Sequence, residues 1–262
     1  MNVIQRVLAT GLVTVVVLLA APSAAEASHA WGTYHWARTT TTFTLQLGDN
    51  MTTADWKGHL AQASGDWNNN TTTYPTVIRT TIVAGTSGGN CRAVAGTTQV
   101  CNKNYGFNGW LGLASIWLSG DHITQGTAKM NDSYFSTSTY NNPNERQHVV
   151  CQEVAHTFGL DHQSTDGSSQ NTCMDYFSNT GTNAGSTAST KPNAHDFEEL
   201  AIIYNHLDST TTVKSIPAVT AHGAASDGTP FGASPENGNY YIQDLGNGQF
   251  LLTHVFWAPR GR

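Results

Sequence analysis

The residues best suited to chemistry crowd into one stretch of this 262-residue chain, Asn142 to His162. Gln152, Glu153 and His156 fall inside it, and His162 follows shortly after. Asn142 is a good helix cap, Pro143 suits a first helical position, and Glu145 completes a capping-box spacing. The stretch therefore predicts a helix that runs through His156 and stops near Gly159, a typical helix-ending residue. Side chains four apart share one helical face, so positions 152 and 156 can reach a single ion. Glu153 sits one step round, and a turn at Gly159 brings His162 back as a third donor. Imidazoles with an adjacent carboxylate suit a transition metal and hydrolysis at it.

The spacing resembles H-E-x-x-H-x-x-G-x-x-H, the signature of the metzincin zinc metalloproteases, with Gln152 in place of the first His. Further on, Cys173-Met174-Asp175-Tyr176 resembles the metzincin Met-turn, including a Tyr two residues after the Met. The likeness is to secreted, matrixin-like members. It covers about 35 residues directly, and residues 31–208 fit the domain's layout more loosely.

The resemblance implies one Zn2+ held by Gln152, His156 and His162, with a fourth position open to water. Glu153 would serve as general base and acid. Met174 would form an apolar floor beneath the metal, and Tyr176 would approach the zinc or the developing oxyanion. It also implies a Cys151–Cys173 disulfide, since those residues directly precede Gln152 and Met174. Gln is a weaker zinc ligand than His, so three arrangements stay open. Gln152 binds through its oxygen; or His156 and His162 recruit a remote residue such as His122 or His195; or the metal site is lost. His148 lies eight residues before His156, roughly 12 Å along a helix, which is too far to share one ion.

The remaining sequence must fold around that helix. Arg6 precedes an apolar run from Val7 to Ala21, and Ala25-Glu26-Ala27 has the small-x-small pattern of a cleavage site. The run is short of the roughly 20 residues of a membrane span, so residues 1–27 are expected to be a signal peptide. A secreted, extracellular protein without a membrane anchor follows. Four cysteines, in a compartment where disulfides are the default, agree with export, and Cys91–Cys101 is the favoured short-loop pair. With 39% hydrophobic and 11% charged residues, the chain can bury a core, and its formal net charge of −6 argues against nucleic acid as a partner.

Strands are expected over 39–47, 77–83, 110–118 and 123–130, with helices opening at Thr52-Thr53-Ala54-Asp55 and covering 192–207. Residues 209–238 read as a loose linker, and 240–257 as a hairpin around Gly246-Asn247-Gly248. The expectation is an α/β (α+β) metzincin-like domain over 28–208, with a mixed twisted sheet, an active-site helix, a C-terminal helix and a small β tail over 209–262. In metzincins a strand such as 110–118 forms the rim along which an extended substrate pairs.

The expected activity is hydrolysis of peptide bonds in extracellular proteins by a monomer. The alternatives are a catalytically silent binding protein on the same scaffold, and a metal-dependent hydrolase of another polymer such as cell-wall peptide. Asp161 and Asp166 fit surface or calcium-loop positions, but nothing supports a bound calcium.

Overall fold

A computed structural model describes residues 28–214 and 239–258. The expected signal peptide and most of the expected linker lie outside the described residues. The fold is mixed α/β, built on one eight-stranded sheet. Its strands are β1 (His35–Trp36), β2 (Phe43–Asn50), β3 (Ile78–Ala84), β4 (Thr97–Lys103), β5 (Trp110–Ser119), β6 (His122–Asn131), β7 (Tyr240–Gly246) and β8 (Gln249–Trp257). The order across the sheet is β3-β2-β4-β6-β5-β8-β7, with β1 beside the start of β6. The β3-β2-β4-β6 part is parallel, and β5, β8 and β7 each run antiparallel to the neighbour before them.

Helix α1 (Ala54–Asn68) is capped by the Thr53 side chain and buries Trp56, Leu60, Ala63 and Trp67, the face expected from their spacing. A short α2 (Asp132–Phe135) follows β6. Helix α3 (Pro143–His156) lies against β5, β6 and α1. Asn142 caps it by accepting from the Glu145 N–H. The reciprocal half of the expected capping box is not made. The Asn142 N–H goes to Tyr140 O, and the Glu145 carboxyl accepts from Ser178 and Asn179 instead. Helix α4 (Ala194–Ile203) does have a full capping box, between Asn193 and Asp196.

Strand β4 was not expected. Its sequence, Thr97-Thr98-Gln99-Val100-Cys101-Asn102-Lys103, lacks apolar alternation, yet all but Lys103 are buried. Polar side chains stand on both its faces because neighbours satisfy them: on one face Thr98 bonds Thr157 and Asn102 bonds Thr52 and Asp132, and on the other Gln99 accepts from Asn50. Burial here follows hydrogen-bond partners rather than hydrophobicity.

The hairpin over 240–257 forms as expected and extends the main sheet through β8. Consequently β5 has neighbours on both sides, so its expected free rim is covered by the chain's own strand. At the start of the expected linker, Thr212 N bonds Ala37 O and Lys214 N bonds Gly96 O.

Both expected disulfides are present, Cys91–Cys101 and Cys151–Cys173. The second spans 22 residues and ties α3 to the turn that carries Met174. Closing a loop of that size stabilises by about 3 kcal/mol. The Cys151→Ala/Cys173→Ala protein should therefore unfold on the order of 10 °C lower in a calorimetric scan. An unchanged Tm would show that packing alone holds the turn.

Candidate metal centre

Helix α3 delivers two of the expected groups inward. Glu153 and His156 are both fully buried, and the chain after His156 reverses at Gly159, whose φ is 99°. A Cβ at Gly159 would collide with the Tyr34 carbonyl oxygen, so the sharp turn needs glycine. His162 then returns beside His156, with ring centroids 5.0 Å apart. Trp31 stacks flat on His156 at 4.8 Å, with Trp31 N bonded to Gly159 O at 2.8 Å.

The third imidazole is His254, on β8. Its ring lies 4.0 Å from that of His156 and 4.7 Å from that of His162. Donor atoms of His156, His162 and His254 all lie within 4.8 Å of one another, the spacing of a metal site. Leu252, His254 and Phe256 project from β8 toward the core, while cross-strand neighbours Ala114 and Gly112 on β5 are small. Gly112 has a specific reason to be small, since a Cβ there would stand 2.5 Å from Glu153 Oε1.

Hydrogen bonding orients the three rings. His156 Nδ1 meets Leu160 O at 2.8 Å, and a carbonyl can only accept, so Nδ1 carries the proton and Nε2 keeps its lone pair. His254 Nδ1 lies 3.5 Å from Glu153 Oε2, and His162 Nδ1 lies 3.3 Å from the Tyr240 hydroxyl. The Nε2 atoms of all three, and Glu153 Oε1, are buried with no hydrogen-bond partner. Leaving such atoms unpaired costs on the order of 1–3 kcal/mol each. A cation among them would satisfy all the imidazoles at once, so the residues present fit a transition metal.

Burial also sets the protonation states. It lowers His156 to about 3, and holds His162 and His254 well below the ordinary histidine value, so all three are neutral lone-pair donors at neutral pH. Burial pushes the Glu153 carboxyl well above its usual range.

Gln152 behaves differently from a plain replacement for His. Its Nε2 donates to Cys173 O and Asp175 O, both at 2.7 Å, which commits the amide nitrogen to the turn around Met174. Its Oε1 is buried without a partner. Met174 is fully buried in the core. His148, too far along the helix to share an ion with His156, is entirely buried, with Nδ1 3.1 Å from Asn179 Oδ1 and Nε2 3.0 Å from Asp175 O. Tyr176 packs 5.3 Å from the His162 ring and accepts from Trp257 N at 3.1 Å, and burial pushes its hydroxyl up to about 12. Of the remote candidates, His122 sits beside Asp208 and His195 beside His29 and Glu198. Neither joins His156 and His162.

Sequence reasoning missed His254 and Tyr240. Tyr240 bonds Asp161 and stands edge-on to Trp31 at 5.8 Å. Both lie in a segment recognised only as a hairpin, and a lone His in a strand carries no ligand signal until the strand's position is known. No protein-family model and no curated protein sequence matches this chain.

One buried carboxyl ties the first turn of α3 to the chain at Ser178 and Asn179. Burial raises Glu145 from its ordinary 4.5 to about 7, against hydrogen bonds from Asn179 N at 2.5 Å and Ser178 Oγ at 3.2 Å. Its pKa is higher folded than unfolded, so its stabilisation is complete below about pH 4.5 and is lost as the pH rises through about 7. The stability difference between the parent protein and Glu145→Gln should therefore shift against the parent by at most about 3 kcal/mol between pH 4.5 and 8. Urea melts across that range measure it, and a constant difference would mean that Glu145 is ionised in the folded state throughout.

Proposed function

We propose that this chain is a secreted zinc-dependent metalloendopeptidase in which His156, His162 and His254 hold the metal and Glu153 moves the proton. One observation carries the reading: three neutral, buried imidazoles with partnerless Nε2 atoms bring donor atoms within 4.8 Å of one another, and Glu153, whose Oε1 is also partnerless, reaches His254 through Oε2. Zinc bound there supplies the Lewis acidity that polarises a scissile carbonyl. Glu153 takes the proton of the attacking water at Oε1 and hands it to the leaving amine. His254 steadies that carboxylate through its Nδ1 contact with Oε2. Gln152 acts in this reading as a positioning residue that fastens the Met174 turn under the site.

Supporting the extracellular location, the described residues contain two disulfides and no helix long and apolar enough to cross a membrane. The substrate class rests on the likeness of Gln152–His162 and Cys173–Tyr176 to metzincin motifs.

Access favours a second reading. Glu153, His156 and His254 have no exposed surface, and β8 fills the edge of β5 where an extended peptide would otherwise pair. A metal-holding scaffold that binds without turnover has the same ligand set.

The test is digestion of a broad peptide library by residues 28–262 with zinc, with chelator, and as Glu153→Ala, alongside metal analysis of each protein. Turnover should vanish with chelator and fall at least about 1000-fold in Glu153→Ala, which keeps its metal. His254→Ala should lose the site's metal while Gln152→Ala retains it. Metal retention in both Gln152→Ala and His254→Ala, or loss only in Gln152→Ala, would overturn the ligand assignment. Full metal loading with no cleavage would establish the binding scaffold.

A further inference from the structure

A second group of donors shares no residue with the first. His35 on β1 and His206 and Asp208, just beyond α4, bring ligand atoms within 4.8 Å of one another. The separations are 3.2 Å from His35 Nε2 to His206 Nε2, 3.4 Å from His35 Nε2 to Asp208 Oδ1, and 3.6 Å from His206 Nε2 to Asp208 Oδ1. Tetrahedral zinc with bonds of about 2.0–2.1 Å places its donors about 3.3 Å apart.

Protonation makes the convergence informative. His35 Nδ1 meets Thr33 O at 2.7 Å, so it carries the ring proton and Nε2 presents a lone pair. His206 Nδ1 faces Asn205 Oδ1 at 3.3 Å, which gives its Nε2 the same character. Asp208 is held from behind: its Oδ2 accepts from Arg38 N and its own N–H donates to Arg38 O, each at 2.8 Å. Its Oδ1 is left aimed at the two imidazoles, and His122 Nε2 touches the same oxygen at 3.2 Å. Two lone pairs and a carboxylate oxygen thus meet with no donor among them. An added proton on one imidazole bridges only part of this triangle, whereas a divalent ion satisfies every corner.

We propose that His35, His206 and Asp208 form a second site for a divalent transition metal, zinc being the best match. Two imidazoles with one carboxylate select such an ion over calcium or magnesium, which prefer all-oxygen shells. The His206 side chain is 46% exposed, so the ion has a route in from solvent and a position left for water. The site staples β1 to the chain leaving α4, just where residues 211–214 are laid along Ala37 and Gly96. His122, at the start of β6, joins as an outer partner of the carboxylate, a common arrangement around metal ligands.

The test loads residues 28–262 with zinc, removes the excess, and measures zinc per chain for the parent, His206→Ala and His254→Ala. His206→Ala should hold one equivalent less than the parent, and its Tm should gain less from zinc while matching the parent's in chelator. Asp208→Asn, which keeps the contacts to Arg38, should behave alike and serves if His206→Ala does not fold. Loss of metal in His206→Ala but not in His254→Ala would support this site and count against the proposed peptidase centre. Unchanged zinc content and an unchanged zinc-induced Tm gain in both His206→Ala and Asp208→Asn would overturn the site, leaving a histidine–carboxylate ion pair only.

Discussion

Three neutral imidazoles bring donor atoms within 4.8 Å of one another and leave every Nε2 without a hydrogen-bond partner, and the surrounding architecture serves to keep them there. Each ring is oriented from behind: His156 by Leu160 O, His162 by the Tyr240 hydroxyl, and His254 by Glu153. Such a cluster is costly in an apolar interior unless something positive occupies its centre. The packing that holds it is correspondingly dense. Trp31 covers His156 on one side, and Gly112 and Ala114 leave room for Glu153 and His254 on the other.

The turn around Met174 is tied to α3 by three kinds of bond. The Cys151–Cys173 disulfide fixes one end of it, Gln152 donates to the carbonyls of residues 173 and 175, and His148 meets Asp175 O one helical turn earlier. The carbonyls are acceptors only, and the Gln152 amide nitrogen supplies them with two donor hydrogens where a neutral imidazole would offer one. The departure from the zincin pattern at this position therefore strengthens the tie between α3 and the Met174 turn while leaving one fewer imidazole on the helix. In the proposed site His254 takes that imidazole's place, from a strand just over a hundred residues later in the chain.

In that proposal the hairpin bears on both metal coordination and access. β8 pairs with β5 along nearly its whole length, and β7, the outermost strand, carries Tyr240 against Asp161 and His162. A peptide approaching from the sheet edge thus meets the hairpin before it meets β5. In the proposed centre, admitting a peptide and holding the third imidazole would make opposite demands on the same strand.

The sequence by itself determined the local elements and most of the candidate site. Helix α3 with its Asn142 cap, the Gly159 reversal, the buried face of α1, the hairpin at Gly246-Asn247-Gly248 and both disulfide pairs were legible, because each depends on spacing or turn chemistry between near neighbours. Glu153, His156 and His162 were legible for the same reason. Strand β4 was hidden because its buried Thr98, Gln99 and Asn102 are satisfied by partners from distant segments, Thr157, Asn50 and Thr52, which no periodicity reveals. His254, and the pairing of His35 with His206 and Asp208, were decided only by the tertiary structure. Their donor atoms meet through strand register and chain crossing, and a ligand's identity depends on which atoms converge in space, not on its neighbours in sequence.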